Sequence, residues 1–398
     1  MRILFLTETI PYPLDSGGRI KTYHTLRMLA AAHEVRAHAF IREAGQRALL
    51  ESLSSLGVAV ALHLVPRSLS REAWFALRSL AGAPYTVGRH FVRRVLDEIQ
   101  AVVRDWRPDL VYCDHLSMAE YARPLGVPIV YDAHNVEHAI LRRFAATQGN
   151  VLTRAAGALE WRRVRAYERD VCRASRLVLA VSDVDRRALA VLAGPSVAFA
   201  TVPIAVDGAG GEPIREVTPE ARVLFLGGLH WPPNADGLAT FVRDIWPLVR
   251  AARPDATLLS VGRDDHPVAE LCRRAPGVTL TGWVPDIDPF VRQSRVLVVP
   301  LRAGSGMRVK ILEAMARGLP VVSTSVGCEG IEIEPGRHLL VEDDPARFAA
   351  AVARVLNDDV LASRLAGESR ALVMRSYDTG AVARTLLGAL ETVTPAGR

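Results

Sequence analysis

The sequence predicts an α/β protein made of two doubly wound domains that face each other across a cleft. The length of 398 residues fits two domains of ordinary size. Short, nearly continuous apolar runs alternate with helical stretches, which is typical of parallel strands that helices cover on both faces. A Gly- and Pro-rich stretch without periodicity interrupts the alternation once, and the pattern then restarts.

The first series predicts a Rossmann-like domain at residues 1–203. Its predicted strands are Ile3–Thr7, Val35–Phe40, Val58–Val65, Leu110–Cys113, Ile129–Asp132 and Leu177–Ser182. The predicted helices include Arg19–Ala32, Gly45–Leu56, Val92–Trp106 and Leu152–Cys172. Because parallel strands need crossover connections, this alternation predicts a single parallel sheet.

Residues 204–220 are predicted to form a linker to a second Rossmann-like domain at residues 221–376. The predicted strands of this domain are Val223–Leu226, Thr257–Val261, Val278–Thr281, Val296–Pro300, Val321–Thr324 and Leu339–Val341. Its predicted helices are Asp236–Ala251, Val268–Arg273, Val309–Arg317 and Ala346–Asn357. Residues 377–398 contain one further predicted helix, Thr379–Thr392, which could pack back on the first domain.

The composition excludes several classes of protein. A hydrophobic content of 49% argues against a disordered chain, and no apolar run reaches the roughly 20 residues that span a bilayer. The start of the chain predicts a first strand rather than a secretory signal. The four cysteines lie far apart without a CxxC pair, which indicates reduced thiols in the cytoplasm rather than disulfides or a zinc site.

The positive charge is almost entirely arginine. The formal net charge is +6, and lysine occurs only at Lys21 and Lys310. The Arg-rich stretches 89–107 and 142–187 predict solvated helical faces with ion pairs. Attraction to anionic lipid headgroups is the functional alternative, to which a helix around Trp74 could contribute. Nucleic acid is not an expected partner, because no aromatic stacking platform accompanies the charge.

A pair of glycines follows the first predicted strand. Gly17 and Gly18 open a helix whose first turn carries Arg19 and Lys21. Glycine N–H groups at the positive end of a helix can bind an anion, although a turn that only caps the helix is the alternative. The spacing is neither GxGxxG nor a P-loop, which argues against dinucleotide and NTPase sites.

Polar residues also cluster directly after the predicted strand Ile129–Asp132. His134 can donate a hydrogen bond to a sugar hydroxyl or to a developing charge, and Asp132 and Glu137 could orient it. A structural histidine is the alternative. No second His or Cys is recognised at ligand spacing, so no metal site is expected.

The strongest candidate is the loop that follows the strand ending at Pro300. This loop and the helix after it contain Gly304, Ser305, Gly306, Met307, Arg308, Lys310 and Glu313. Glycine N–H groups, a helix N-terminus and two cations would form a diphosphate cradle that needs no metal. Glu313 could accept hydrogen bonds from both hydroxyls of a ribose.

Residues 312–322, Leu-Glu-Ala-Met-Ala-Arg-Gly-Leu-Pro-Val-Val, resemble the L-E-A-M-A-x-G-x-P-V-V signature of the retaining glycosyltransferases of the GT-B fold, called family 4 or "group 1". The Gly17–Gly18 loop, His134, the linker and Gly282–Asp286 extend the resemblance over nearly the whole chain. The resemblance implies transfer from a nucleotide-diphosphate sugar to a glycan or lipid-linked acceptor, without a metal or other cofactor. The acceptor would bind mainly to the first domain and the nucleotide to the second.

The resemblance also implies roles for matching residues. Glu313 would hold the ribose, and Val284 would set the base against its backbone. Gly18 would approach the diphosphate or the transferred sugar. His134 would contact the donor sugar near the reacting centre.

Three departures from the family pattern affect these roles. The acid that is usual eight residues before Glu313 is Ser305 here. An Arg and a Lys usually follow the first strand of the second domain, where this chain has Gly228 and Asn234. We infer that Arg308 and Lys310 replace those cations. Finally, the usual Asn-Gly of the linker reads Ile-Ala at residues 204–205.

The expected chemistry is electrostatic. The diphosphate would leave with its charge held by Arg308, Lys310 and backbone N–H groups, while the acceptor hydroxyl attacks from the same face. The expected setting is polysaccharide or glycolipid assembly in the cytoplasm, with peripheral contact at the inner face of the cell membrane. A sugar-nucleotide epimerase, a phosphorylase and a non-catalytic sugar-nucleotide-binding module are the alternative functions.

Overall fold

The structure is a computed structural model that describes residues 1–66, 75, 84–146, 150–208, 214, 218, 220–304 and 306–393. The chain forms two compact units: Met1–Ala205 with Val382–Arg398 in unit 1, and Val206–Ala381 in unit 2. The sequence places these boundaries at 203/204 and 376/377. Most of the predicted linker and the segment around Trp74 lie outside the described residues.

Unit 1 contains a parallel sheet of seven strands in the order β3-β2-β1-β4-β5-β6-β7. The strands are β1 Arg2–Thr7, β2 Glu34–Ile41, β3 Ala59–Leu64, β4 Leu110–Asp114, β5 Ile129–Ala133, β6 Leu177–Ala180 and β7 Phe199–Thr201. The predicted doubly wound fold is confirmed here, because side chains of β1 enter cores on both faces of the sheet. Leu4 and Leu6 belong to one core, and Ile3 and Phe5 belong to the other.

The helices of unit 1 surround this sheet. They are α1 Gly17–Ala32, α2 Tyr85–Gly88, α3 Arg93–Trp106, α4 Ala119–Ala122, α5 Glu137–Ala146, α6 Val151–Ala174 and α7 Asp183–Ala193. The predicted helix at 45–56 is a 3-10 helix, Ala44–Leu56. The sequence did not predict β7, because three residues are too short for a periodic signal.

Unit 2 contains a parallel sheet of six strands in the order β10-β9-β8-β11-β12-β13. The strands are β8 Arg222–Leu226, β9 Thr257–Val261, β10 Val278–Leu280, β11 Val296–Val299, β12 Val321–Ser323 and β13 Leu340–Val341. The helices are α8 Pro232–Thr240, α9 Trp246–Ala252, α10 Val268–Arg274, α11 Asp288–Arg292, α12 Val309–Arg317, α13 Pro345–Asn357 and α14 Asp359–Ser376.

One predicted helix of unit 2 is not a single α-helix. The prediction Asp236–Ala251 corresponds to α8 and α9, which a π-helical turn, Phe241–Ile245, separates. Pro247 has no N–H and cannot donate to the carbonyl of Arg243. The regular hydrogen-bond ladder therefore cannot continue through this segment.

The last helix, α15 Thr379–Glu391, belongs mainly to unit 1. Val382, Leu386 and Leu390 recur every four residues and are buried in the same core as Ile3 and Phe5. In the part of the chain that the structure describes, no helix combines the length and apolarity needed to cross a bilayer. The four cysteines are buried and free.

Candidate functional site

The candidate site in unit 1 begins with two carboxylates on neighbouring strands. Asp114 ends β4 and pairs in register with Asp132 on β5, and both side chains are fully buried. The carboxyl ends of parallel strands meet at one edge of the sheet, where ligand sites of such folds form. Two buried negative charges at this edge must be compensated by nearby donors.

Lys21 compensates one of these carboxylates. Its ammonium group donates to Oδ2 of Asp132, and the hydroxyl of Tyr112 donates to the same oxygen at 2.7 Å. Lys21 itself is 2% exposed. The expectation that Asp132 orients His134 is therefore wrong, because Asp132 holds Lys21 instead.

Asp114 is the residue that orients His134. Nε2 of His134 lies 2.7 Å from Oδ1 of Asp114, and the hydroxyl of Thr22 donates to Oδ2 at 2.8 Å. Burial alone would raise the pKa of Asp114, but the neighbouring His134 and His115 hold it well below its usual range. Asp114 is thus a carboxylate that accepts hydrogen bonds from the imidazoles.

Glu137 does not contact His134. Its N–H donates to Oε1 of the buried Glu168 at 2.9 Å, which satisfies the start of α5. Burial and the charge of Glu168 raise the pKa of Glu137 to about 7. The prediction that Glu137 orients His134 is also wrong, because His134 bonds to Asp114 and the carboxylate of Glu137 accepts from Nδ2 of Asn135 at 3.5 Å.

His115 is a site residue that the sequence analysis missed. Its ring centroid lies 3.8 Å from that of His134, and its Nδ1 lies 3.0 Å from Oδ2 of Asp114. The predicted strand ended at Cys113, one residue too early. The available signal was a polar pair, Asp114 and His115, directly after an apolar strand, which is the same signal that identified His134.

Asp114, His115 and His134 bring three potential metal-ligand atoms within 4.8 Å of one another. The sequence analysis saw no second histidine at ligand spacing, because His115 lies on another strand. The proximity is explained by the hydrogen bonds from each imidazole to the shared carboxylate. A metal ion would have to replace these bonds.

Gly17 and Gly18 form the first turn of α1, close to this cluster. The side chain of Ser16 makes no capping bond to the helix. A Cβ atom added to Gly18 would lie 3.9 Å from Nε2 of His115. The guanidinium of Arg19 pairs with Asp15 at 2.8 Å, so its charge is partly compensated.

In unit 2, Arg308 contacts the loop that precedes α12. It donates to the carbonyl of Gly306, and its guanidinium lies 5.7 Å from the ring of Trp231. Gly304 and Gly306 adopt positive φ values of 136° and 75°, which favour glycine. Met307 is buried, whereas the predicted contact Ser305 lies outside the described residues.

Lys310 extends from α12 to the loop after β8. Its ammonium donates to the carbonyl of Leu226 and to Oδ1 of Asn234, at 3.0 Å for the latter. A Cβ atom on Gly227 would lie 2.8 Å from Nζ, so only glycine leaves room for this group. Nδ2 of Asn234 donates to the carbonyl of Gly228 at 3.0 Å and fixes the loop.

The charge of Lys310 has no acidic partner among the described residues. Among the described residues, each salt bridge involves a cation other than Lys310, such as Lys21, Arg295, Arg302 or Arg317. Burial and the charge of Arg308 lower the pKa of Lys310 to about 7. An ammonium has three N–H donors, and protein acceptors take two of them. The third donor is available to an anionic ligand.

Glu313 lies one turn further along α12, on the face that Lys310 also occupies. Its carboxylate makes no hydrogen bond with any residue that the structure describes, and burial raises its pKa despite the nearby Arg317. Val284 lies half-buried in the loop after β10. The N–H of Gly262 donates to the carbonyl of Gly282 at 3.0 Å and ties this loop to the end of β9.

Two family models match the chain in succession. Residues 22–209 match Glycosyltransferase Family 4, and residues 220–358 match Glycosyl transferases group 1. The chain belongs to the glycosyltransferases of the GT-B fold. The first match lies almost entirely in unit 1 and the second lies within unit 2.

The chain is also similar to individual curated proteins. A phosphatidyl-myo-inositol mannosyltransferase from Mycobacterium leprae is 31% identical over 44% of this chain and 47% of its own length. An uncharacterized 44.6 kDa protein in the cps region of Klebsiella pneumoniae is 24% identical over 40% of this chain and 43% of its own. The chain thus spans less than half the length of these two curated relatives.

A solved structure shares the fold over nearly the entire length. The Anabaena protein HepE, crystallised with UDP and glucose, matches 98% of this chain and 100% of its own chain. The TM-score is 0.67 and the sequence identity is 16%. A likeness at this identity identifies the GT-B fold alone.

The two lysines of this glycosyltransferase should respond differently to the same substitution. Lys21→Met leaves the buried Asp132 without its cation and should cost about 3–5 kcal/mol of stability. Lys310→Met removes an uncompensated charge and leaves two neutral acceptors unpaired, so it should cost less than about 2 kcal/mol. Calorimetric unfolding of both variants at pH 7 measures the difference. An equal loss in the two variants would contradict the charge assignment of Lys310.

Proposed function

We propose that this protein transfers a glycosyl group from a nucleotide-diphosphate sugar to a hydroxyl of a glycan or lipid-linked acceptor, with retention of configuration and without a metal ion. The observation that carries the proposal is the ammonium of Lys310. A cation in a largely buried position without an acidic partner favours an anionic ligand over none. In this family, the anionic ligand is the diphosphate of a sugar nucleotide.

The proposed donor contacts lie on two segments of unit 2, the loop and helix at residues 304–313 and the loop after β10. The diphosphate receives hydrogen bonds from Lys310 and from backbone N–H groups of the loop that Arg308 stabilises. Glu313 accepts hydrogen bonds from the ribose hydroxyls, which its unpaired carboxylate supports. Val284 and its loop contact the base. The UDP bound to HepE supports a nucleoside diphosphate as the ligand class.

Negative charge grows on the diphosphate as the bond to the sugar breaks. Lys310 is better placed to stabilise the leaving diphosphate than the intact donor, because its third N–H faces a charge that increases in the transition state. The acceptor hydroxyl attacks from the face that the diphosphate leaves, and the diphosphate takes its proton. This step needs positioning and charge stabilisation rather than a nucleophilic side chain.

The two fully buried carboxylates at the strand ends near His134, Asp114 and Asp132, are unsuited to a double displacement. A double displacement requires a carboxylate nucleophile with access to the anomeric carbon. Asp132 is bonded to Lys21 and Tyr112, and Asp114 is bonded to Thr22 and to the imidazoles. Both side chains are fully buried. They are therefore suited to hold their neighbours rather than to attack a sugar.

Replacing Lys310 by Met should lower kcat/KM by about 10²–10³, because one charge-assisted donor to the leaving group is lost. A thermal-shift screen with UDP, GDP, ADP, dTDP and their sugars first identifies the donor. Transfer assays then compare Lys310→Met with Arg302→Met, in which a cation paired with Asp236 at 2.9 Å is removed. The Arg302 variant should retain near-normal turnover. Near-normal turnover in Lys310→Met would refute the diphosphate contact, and an inverted product anomer would refute retention.

We also propose that the protein binds an anionic membrane through exposed apolar side chains near the end of α5 and in the first part of α6. Four apolar side chains here are strongly exposed: Phe144, Val151, Leu152 and Leu159, at 59%, 72%, 78% and 48%. Between residues 142 and 165 the chain has Glu160 as its one acid and the arginines Arg142, Arg143, Arg154, Arg162, Arg163 and Arg165. Exposed apolar groups among arginines are suited to a surface of anionic lipid headgroups.

A double substitution, Phe144→Ser with Leu152→Ser, should weaken binding to phosphatidylglycerol vesicles by at least about tenfold, because it removes apolar area that would enter the lipid. Vesicle co-sedimentation measures the affinity, with phosphatidylcholine vesicles as the uncharged comparison. Val191→Ser is the matched control, since Val191 is 87% exposed on α7. Equal binding by the double variant and the wild type would contradict this contact.

A further inference from the structure

We propose that His115 and His134 form a complementary pair that binds two hydroxyl groups of a sugar, with His115 donating from Nε2 and His134 accepting at Nδ1. Asp114 is the positioning residue that fixes both rings. The choice of a sugar as the ligand rests on the proposed function. The division of donor and acceptor between the rings rests on their hydrogen bonds to Asp114 and on the carboxylates that surround His115.

The hydrogen bonds to Asp114 determine which ring nitrogens remain available. Nε2 of His134 lies 2.7 Å from Oδ1. Nδ1 of His115 lies 2.8 Å from the backbone carbonyl oxygen of Asp114 and 3.0 Å from its Oδ2, and both of these oxygens only accept. Both nitrogens must carry a proton, because a carboxylate only accepts. Nδ1 of His134 and Nε2 of His115 make no hydrogen bond with any residue that the structure describes. These two atoms are the hydrogen-bonding positions that remain for a ligand.

The electrostatic environment separates the two imidazoles. Burial alone would lower the pKa of His115, but the charges of Asp114 and Glu8 raise it to about 10. Burial and the neighbouring charge of His115 lower the pKa of His134. At neutral pH, His115 is therefore a charged donor, whereas His134 is neutral and has a lone pair at Nδ1. Pairs of titratable groups with opposite shifts are typical of sites that need one donor and one acceptor.

The backbone of His115 is strained. Its φ of 85° and ψ of 149° lie in a region that almost only glycine occupies, at a typical cost of about 1–3 kcal/mol. The strained conformation brings its ring against His134 at a centroid distance of 3.8 Å and directs Nε2 towards Gly18, where an added Cβ would lie 3.9 Å away. A glycine at position 115 would adopt the same backbone without this cost. The presence of histidine at this strained position therefore indicates that its imidazole has a role at the site.

The charges around the pair favour an uncharged ligand. Asp114 balances His115, and Lys21 balances Asp132. Glu8 adds a negative charge: burial opposes its ionisation, but His115 and His90 lower its pKa to about 2. An anionic group would be repelled by this surplus. Hydroxyl groups can both accept from His115 and donate to His134, as neighbouring hydroxyls of a sugar ring can.

The tautomers can be measured without any substrate. Long-range 1H–15N NMR spectra of protein labelled with 15N-histidine report the protonation of each ring nitrogen, and His115→Gly and His134→Gln assign the two rings. We expect His115 to carry protons on both nitrogens from pH 7 to pH 9, and His134 to be neutral with its proton on Nε2. A neutral His115, or a His134 proton on Nδ1, would overturn the proposal. If the protein fails to bind any nucleotide, the proposed function fails but this result stands.

The ligand is tested on the same signals. Glucose, UDP, UDP-glucose, UDP-galactose and GDP-mannose are added in separate titrations. A sugar or nucleotide sugar that shifts both ring signals where UDP does not would support the pair, and free glucose against UDP-glucose distinguishes an acceptor from a donor sugar. His115→Gly should weaken that binding about 10- to 100-fold, as expected for a lost hydrogen bond from a charged donor. Unchanged affinity in a folded His115→Gly protein, or no response of either ring to any of the sugars, would overturn the proposal.

Discussion

The ammonium of Lys310 beneath the Gly227–Gly228 loop is the interaction on which the proposed chemistry depends. It has two neutral acceptors, Leu226 and Asn234, and no carboxylate within ion-pair distance in the described part of the chain. Burial and the charge of Arg308 disfavour the charged form of Lys310 and lower its pKa when no ligand is bound. In the proposed function, an anionic ligand supplies the missing partner and offsets this cost.

Unit 1 uses the other lysine for the opposite purpose. Lys21 forms an ion pair with Asp132, and both side chains are buried. This pairing holds the carboxyl end of β5, where His134 follows. Lys21 therefore stabilises the end of β5, whereas Lys310 is the lysine that we propose contacts the ligand. A compact ammonium fits both buried positions, whereas the planar guanidinium of arginine would need more room.

Much of the fold could be predicted because parallel strands buried on both faces produce continuous apolar runs, as in β1, β5 and β11. Positions that depend on long-range contacts could not. Lys21 and Asp132 are 111 residues apart, and nothing local to either shows that they pair. The π-helical turn before Pro247 and the short strand β7 give no periodic signal. These elements are determined by tertiary packing rather than by local pattern.

The candidate site also combines residues that the local sequence predicts with residues that depend on tertiary contacts. Residues after predicted strand ends, such as His134, were identified from their position, but Asp114 and His115 were missed because the strand before them ends one residue later than predicted. The inference that Lys310 takes the place of a cation lost from the loop after β8 is supported by its hydrogen bond to Asn234, which stands where the family has such a residue. No observation tests the predicted roles in catalysis of His134, Arg308 and Lys310, which stay predictions. The same holds for the predicted binding residues Gly17, Gly18, Arg19, Gly228, Val284, Gly304, Ser305, Gly306, Met307 and Glu313.

The most direct test of the central claim uses the fact that the chain has only two lysines. A 13C-lysine-labelled protein should give two Cε signals, which Lys310→Met assigns. We expect the Lys310 signal to titrate near pH 7 in the free protein, and to shift to its charged position at pH 8 when UDP, or the diphosphate that binds, is added. The Lys21 signal should not respond to the nucleotide. A Lys310 signal that does not change while the nucleotide binds would contradict the account.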